Sequence, residues 1–158
     1  MKTSPNVVPL PQADGQKPVS PAGYRLESQV GHLLRRAHQR ATSIFQTTIG
    51  DPNVTPTQYA ALVKLHDLGE LSQNHLGRLT AMDPATTQGV IRRLRDRGLI
   101  EARPDPNDRR RTLLKLTAAG NKVLSRLIGN GPKVSELTLD PLSAEEQQTF
   151  LALLRRLG

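Results

Sequence analysis

The sequence predicts a mainly helical fold that carries one small β-hairpin, and residues 83–117 give the main reason. A helix signal over residues 84–97 is followed by two short strand candidates at 99–103 and 111–116. A turn rich in Pro, Asp and Asn separates the two strands. Capped helices are predicted on both sides of this segment. Helix, strand, basic turn and strand, flanked by further helices, is typical of a winged helix-turn-helix with long terminal helices.

The helix of this segment has a defined start and a defined end. Asp83 can cap its N-terminus, and Pro84 suits the first helical position because its missing N–H would be unpaired there anyway. Gly98 ends the helix, since glycine enters the left-handed conformation without steric cost. Apolar residues recur between these limits at spacings of three and four, which predicts one buried face. They are Val90, Ile91 and Leu94.

Two capping boxes mark the starts of further helices. Thr55 and Gln58, with Pro56 at the first helical position, form one box, and Ser143 and Glu146 form the other. In each box the hydroxyl accepts a backbone N–H three residues on. The Gln or Glu side chain in turn accepts the N–H of the capping residue. These boxes predict a helix before the hairpin segment and a final helix near the C-terminus.

Three more helices follow from apolar spacing and from single caps. Residues 24–48 carry an apolar stripe at three- and four-residue steps. Ser72 and Thr117 are N-cap candidates for two others. The run GNGP at 129–132 breaks the helix that begins after Thr117. We expect helix to resume beyond that run.

Residues 1–23 differ in composition from the rest of the chain. They hold five prolines and two glycines, which predicts a disordered or extended leader. The alternative is an arm that packs on a partner subunit or touches DNA. At 158 residues the chain is long enough for one domain with a sound core, and short for two.

The basic charge is concentrated in one segment. The chain has 22 Lys and Arg against 14 Asp and Glu, and nine of the basic residues lie between Arg92 and Lys115. Clustered charge of this kind is an electrostatic footprint for a polyanion. No long basic helix with aromatic anchors favours a membrane surface, and no apolar run favours a signal peptide or a membrane span. We therefore expect nucleic acid as the partner, no membrane, and a cytoplasmic location.

The residue types that support metal or enzyme chemistry are sparse. The absence of cysteine excludes disulfides, thiolate metal sites and thiol redox sensing. His32 and His38 lie six residues apart, and His66 and His75 lie on other predicted elements, so no pair has metal-ligand spacing. No nucleophile, base and orienting group assemble from the sequence. We expect no cofactor, no metal and no enzymatic activity.

Three short motifs give the sequence a resemblance to a known family. They are GLI at 98–100, DPNDRR at 105–110 in the predicted turn, and LTAAG at 116–120. Over about residues 24–158 the chain resembles the MarR (multiple antibiotic resistance regulator) family of winged-helix transcription factors. The resemblance implies a homodimer that binds a pseudo-palindromic operator in double-stranded DNA. It also implies release of that DNA by a small phenolic or carboxylic ligand.

The resemblance further divides the domain by role. It implies a winged helix-turn-helix DNA-binding lobe at 55–117 and dimerisation helices at 24–50 and 118–158. The segment SQNHLGRLTAMDPATTQGVI at 72–91 is most similar to members that control the catabolism of aromatic acids such as hydroxynicotinate or hydroxybenzoate. The cysteine-sensing branch is excluded because the chain has no cysteine.

The predicted DNA-binding residues lie on the recognition helix, in the wing and at the start of the third helix. Gln88 can pair with adenine, and Arg92, on the same helix face, can read guanine or hold phosphate. By resemblance Arg110 enters the minor groove and is held by Asp108. Ordinary helix surface and a solvated turn are the alternatives for these residues. The full predicted set is Ser72, Gln73, Asn74, Ala85, Thr86, Thr87, Gln88, Arg92, Arg93, Asp108, Arg109, Arg110 and Arg111.

The resemblance also places an effector pocket between the first and second helices. His38, Tyr59 and His66 could hydrogen-bond an aromatic acid there, and Arg35 or Arg40 could pair its carboxylate. Each of them could instead be an ordinary surface or core residue. The competing function is a winged helix that docks on protein within a transcription assembly, without an effector. The arginine-rich turn and helix argue against that alternative.

Overall fold

The computed structural model describes residues 23–108 and 110–158, and the leader predicted at 1–23 and the wing residue Arg109 lie outside this range except for Gly23. The predicted class, mainly helical with a small β-sheet, is confirmed. Short 3-10 helices occupy Leu26–Ser28 and Ile128–Asn130. The remaining elements are α1 (Val30–Thr48), α2 (Pro56–Leu68), β1 (Leu71–Ser72), α3 (Gln73–Leu79), α4 (Pro84–Asp96), β2 (Ile100–Pro104), β3 (Thr112–Leu116), α5 (Ala118–Leu127), α6 (Gly131–Leu139) and α7 (Ala144–Leu157).

Every N-cap predicted from the sequence is present. The capping boxes that begin at Thr55 and Ser143 are both closed, with side chain and backbone bonded in each direction. Ser72, Asp83 and Thr117 each accept the backbone N–H three residues on, and so cap α3, α4 and α5. These bonds satisfy N–H groups that a helix cannot pair by itself, which is why the element starts could be predicted from sequence.

Other boundaries differ from the prediction. The first helix is interrupted, because Gln29 is extended between the turn at Leu26–Ser28 and the start of α1. Helix α6 begins at Gly131 rather than beyond residue 132, since a proline fits the first helical turn. Both hairpin strands begin one residue later than predicted. The strand Leu71–Ser72 was not predicted, because two residues are too short for an alternating pattern.

A three-stranded antiparallel sheet underlies the helix-turn-helix. Its order is β1-β3-β2, so β3 is central, and Leu114 faces Leu71 on one side and Ala102 on the other. Burial of a leucine side chain contributes roughly 1.5–3 kcal/mol, so the leucines around this sheet dominate the stability of the lobe. The largest fully buried side chains of this core are Leu62, Leu65, Leu76, Val90, Leu94, Leu114 and Leu124.

The residues of the GLI and LTAAG motifs fix α5 to the end of α4. Gly98 adopts φ +67°, as its predicted role as a helix terminator requires. The Thr117 hydroxyl donates to the Gly98 carbonyl at 2.7 Å, and the Thr117 N–H donates to the Leu99 carbonyl at 3.1 Å. A side chain at Gly120 would collide with the Leu99 carbonyl, so α5 can approach the start of the hairpin only because residue 120 is glycine.

The terminal helices contribute much less to the core. A second, smaller cluster joins the end of α1 to α5 through Phe45, Ile49, Val54 and Leu127. Neither α6 nor α7 has a buried residue. Large apolar side chains are instead exposed along the N-terminal part of the chain and along α7. They are Tyr24, Leu26, Val30, Leu33, Leu34, Leu151, Leu153 and Leu157.

No helix among residues 23–108 and 110–158 combines the length and apolar character needed to cross a bilayer. These residues also hold no group of three or more His, Asp and Glu side chains placed to bind a metal ion. The four histidines are distributed over α1, α2 and α3.

Candidate nucleic-acid interface

Helix α4 presents one face to the core and the opposite face to solvent. Val90, Ile91 and Leu94 form the buried face together with Thr87. Thr87 was predicted to contact DNA, and the structure corrects this. Its side chain is 2% exposed, and its hydroxyl donates to the Asp83 carbonyl at 2.8 Å. The residue lies against α3, where the short Gly77 leaves room for it. Thr87 is therefore a packing residue of the helix-turn-helix.

Thr86 is exposed, but its hydroxyl is part of the cap of α4. The Thr86 Oγ1 donates to one Asp83 carboxylate oxygen at 2.6 Å, and its backbone N–H donates to the other at 2.9 Å. These bonds hold the pKa of the Asp83 carboxyl below its usual value. The methyl group of Thr86 and a lone pair of its hydroxyl oxygen stay free, whereas the hydroxyl proton is already donated to Asp83.

Three adjoining depressions share one residue, Gln73, and together form a single surface. The first, of about 400 Å³, lies between the start of α3 and the wing. The second, of about 360 Å³, lies between α3 and the start of α4. The third, of about 480 Å³, lies along the exposed face of α4. We call this the basic surface; the residues that line it include Ser72, Gln73, Asn74, Arg78, Ala85, Gln88, Gly89, Arg92, Arg95, Arg110 and Arg111.

The arginines of the basic surface differ from those behind it in how their charge is used. Among residues 23–108 and 110–158, no acidic side chain pairs with Arg78, Arg92, Arg95 or Arg110. An unpaired guanidinium on a concave surface is available for phosphate or for a base edge. This part of the chain therefore concentrates uncompensated positive charge where a duplex could lie.

The basic residues behind this surface are engaged within the fold. Arg103 bonds Glu70 in a bidentate arrangement, with both nitrogen–oxygen distances at 2.7 Å. This pairing lowers the pKa of Glu70 and raises that of Arg103. Arg97 donates to the Asn53 carbonyl at 2.7 Å and pairs with an aspartate of the same loop at 3.2 Å. Lys115 pairs with a glutamate on the neighbouring strand at 2.9 Å.

Two aspartates shape the wing turn. Asp105 is buried, and its carboxylate accepts the Asn107 N–H at 2.8 Å. The Asp108 carboxylate accepts the backbone N–H of Arg110 at 3.0 Å, and the Asp108 carbonyl accepts that of Arg111 at 2.8 Å. Asp108 therefore holds the backbone of Arg110 and leaves its guanidinium free. Arg111 is partly engaged, with its Nε 3.8 Å from a carboxylate oxygen of Asp105.

Sequence reasoning missed two arginines of the basic surface. Arg78 lines both depressions beside α3, and Arg95 lines the one along α4. Their spacing held a usable signal, because residues three or four apart share a helix face. Arg78 follows Asn74 by four residues, and Arg95 follows Arg92 by three. Arg93 was predicted, but its guanidinium folds back over Gly89 at the flank of this surface.

The predicted effector residues do not converge on one cavity. Arg40 is occupied, because its guanidinium donates to the Leu137 and Thr138 carbonyls at the end of α6, and this corrects its predicted pairing with a ligand. The Nδ1 of His66 lies 3.3 Å from the Asn121 side-chain oxygen, in a depression of the winged lobe.

Tyr59 lies in a different environment from His66. Its ring meets the Phe45 ring edge to face at 5.6 Å between centroids, and burial raises the pKa of its hydroxyl. Arg35 and His38 are exposed on α1, one turn apart. Through Phe45, Tyr59 adjoins the helix that carries Arg35 and His38, whereas His66 belongs to another part of the surface.

Known proteins resemble this chain over nearly all of its length. The MarR family profile matches residues 54–112. The HTH-type transcriptional repressor NicR of Pseudomonas putida is 40% identical over 156 residues, which is 99% of this chain and 93% of NicR. A probable transcriptional regulator from Pseudomonas aeruginosa, of known crystal structure, is 47% identical with a TM-score of 0.79; the match covers 85% of this chain and all of that one.

A third relative adds a named ligand. The structure of Bordetella bronchiseptica BpsR, whose DNA binding is regulated by 6-hydroxynicotinic acid, is 39% identical with a TM-score of 0.75. That match covers 82% of this chain and 98% of BpsR. Sequence identity at this level and coverage, together with the basic surface of α3, α4 and the wing, lead to one conclusion. The chain belongs to the MarR family and is a winged-helix, DNA-binding transcriptional regulator.

Proposed function

We propose that this protein is a cytoplasmic homodimeric repressor that a hydroxylated aromatic acid releases from its operator. The proposal that the protein binds an operator rests on one observation: the basic surface runs without a break from the wing to α4. The effector part is supported by the likeness to BpsR, and we place this chain's ligand in the same chemical class as 6-hydroxynicotinic acid.

On DNA, each section of the basic surface has a role of its own. Helix α4 enters the major groove, where Gln88 pairs with adenine and Arg92 reads guanine or holds phosphate. Arg110 enters the adjacent minor groove, whose negative potential attracts a guanidinium. Asn74 and Arg78 hold the phosphates between the two grooves. Each of these side chains lines the basic surface, and each arginine among them has no acidic partner among the described residues.

Two copies of the chain are needed to place two α4 helices on one operator. The apolar side chains exposed on α7 and around the start of α1 supply a surface for that pairing, because a stable monomer rarely leaves such a patch uncovered. The two recognition helices must then lie about 34 Å apart, one helical turn of DNA. We assign dimerisation to residues 24–50 and 118–158, and DNA binding to 55–117.

Release follows if the effector binds better to a dimer with another spacing. It then lowers operator affinity by its differential affinity for the two arrangements. Arg35, His38 and Tyr59 are the effector-binding residues we propose, because Tyr59 contacts Phe45 on α1, the helix that also carries Arg35 and His38. Arg35 would pair the ligand carboxylate, and the histidine and tyrosine would bond its ring substituents.

The test uses a duplex selected by the wild-type protein from a randomised library, called the selected duplex below. Fluorescence anisotropy should show tight binding that weakens steeply with salt, because several phosphate contacts release counterions. Saturating 6-hydroxynicotinic acid should weaken that binding while gel filtration still shows a dimer. Nicotinic acid, which lacks the hydroxyl, is the matched control and should act more weakly.

Two results would contradict the proposal at different points. Equal affinity for the selected and a scrambled duplex would remove the sequence-specific regulator. Unchanged affinity across hydroxylated pyridine and benzene carboxylates would remove the effector and leave a constitutive DNA-binding protein.

A further inference from the structure

The exposed face of α4 carries a glycine at its middle, Gly89. Glycine destabilises a helix interior relative to alanine, because it loses more conformational freedom on folding and packs no side chain. Gly89 is half-buried, is the sixth residue of a 13-residue helix, and has an ordinary helical backbone. Neither a turn nor a helix end explains its presence.

At two other helical glycines of the chain, packing explains the missing side chain. A Cβ at Gly77 would lie 2.8 Å from the Thr87 hydroxyl, and a Cβ at Gly120 would collide with the Leu99 carbonyl. A Cβ at Gly89 would meet nothing closer than the Arg93 guanidinium at 3.6 Å, which is ordinary contact with a flexible side chain. The fold would therefore accept alanine at residue 89.

The surroundings of Gly89 indicate what it leaves room for. Ala85 lies one turn earlier on the same helix face, and both residues line the third depression of the basic surface. Gln88 and Arg92, also one turn apart, form the neighbouring row of the same depression with longer polar side chains. The small pair therefore forms a shallow apolar notch beside two groups capable of reading bases.

We propose that Gly89 is a specificity-determining residue, which with Ala85 forms a notch for the 5-methyl group of a thymine. In the major groove only thymine presents a methyl, and small apolar groups recognise it by contact. The absence of a Cβ at residue 89 lets the helix backbone approach that base pair. This inference rests on the proposed placement of α4 in the major groove.

The test combines a protein variant with a base analogue. Each thymine of the selected duplex is replaced in turn by deoxyuridine, which lacks the methyl. Wild-type protein should lose affinity at one thymine position in each half-site. The Gly89→Ala variant should bind the unmodified duplex roughly tenfold more weakly, on the scale of one base contact. At the critical position, deoxyuridine should restore much of its affinity, because removing the methyl makes room for the new Cβ.

Stability measurements separate this role from a structural one. Gly89→Ala should raise the thermal midpoint while it weakens DNA binding, since alanine favours the helix. Leu68→Ala in α2, an exposed helical position of the winged lobe outside the basic surface, is the control and should leave the affinity for the selected duplex unchanged.

Three results would overturn the inference. One is wild-type affinity in the Gly89→Ala variant, and another is a loss that no deoxyuridine position relieves. Neither result contradicts the proposed function, provided that the wild-type protein still prefers the selected duplex to a scrambled one. Absence of that preference would remove the proposed function and this inference with it.

Discussion

The winged lobe and the terminal helices use the same kind of apolar stripe in opposite ways. In the winged lobe the stripe of α4 is covered, and Leu94 is fully buried beneath the helix-turn-helix. In α7 the stripe is uncovered, and Leu153 is 50% exposed. The winged lobe completes a core within one chain, whereas the terminal helices leave theirs open.

This difference shows that helical periodicity predicts a buried face without naming what buries it. The spacing of apolar residues in α4 and in α7 is equally regular. Only the packing of α2, α3 and the sheet against α4 distinguishes the two cases. An exposed apolar stripe beside a complete core is best read as half of an interface between copies of the chain.

The largest expected effect tests whether α7 belongs to that interface. Leu153→Asp should raise the dissociation constant of the dimer by roughly 100-fold or more, about 3 kcal/mol, because each dimer would bury two unpaired charges. Sedimentation at micromolar concentration should show monomers with unchanged helical content.

The chain offers a matched control for that substitution. Leu68 is 53% exposed, but it lies at the end of α2 in the winged lobe. Leu68→Asp adds the same charge at the same exposure and should leave the dimer intact. Equal dissociation by both variants would mean that charge alone, and not position on α7, disrupts the pairing.

A smaller effect is expected within the winged lobe, where an unpaired arginine can be compared with a paired one for its contribution to DNA affinity. Arg110→Ala should weaken binding to the selected duplex by roughly 1–3 kcal/mol and reduce its dependence on salt. Arg103→Ala removes the same charge from the same hairpin region, but Arg103 is already paired with Glu70. Its effect on DNA affinity should be much smaller. Anisotropy at several salt concentrations measures both, and similar losses would indicate that net charge governs binding.

The elements that sequence reasoning predicted well are those fixed by local bonds. Caps at Thr55, Asp83 and Ser143 are satisfied by residues three positions away, so the information lies within one turn. The strand at Leu71–Ser72 exists only because β3 lies beside it. A pairing between residues about 40 positions apart leaves no local pattern in so short a strand.

The same distinction explains the errors in the predicted sites. Gln88 and Arg92 were placed correctly on the exposed face of α4, because helix geometry decides that from spacing alone. The burial of Thr87 depends on the close approach of α3 at Gly77. The occupation of Arg40 depends on where α6 ends. Neither could be read from the residues near them in the sequence.

The smallest expected effect concerns the cap that starts α4. Hydrogen bonds from Thr86 hold the pKa of Asp83 below its ordinary value of 3.8. A carboxyl whose pKa is lower in the folded state adds stability above its unfolded pKa and loses it as the pH falls through the folded one. Asp83→Asn keeps a capping oxygen but removes the charge. The wild-type protein should therefore have a slightly higher thermal midpoint than this variant at pH 7, and the difference should shrink below about pH 4.

Thermal unfolding of both proteins between pH 7 and pH 3 measures the gap. A gap that stays constant over that range would mean that the charge of Asp83 contributes nothing, and that shape alone makes aspartate a good cap for the recognition helix.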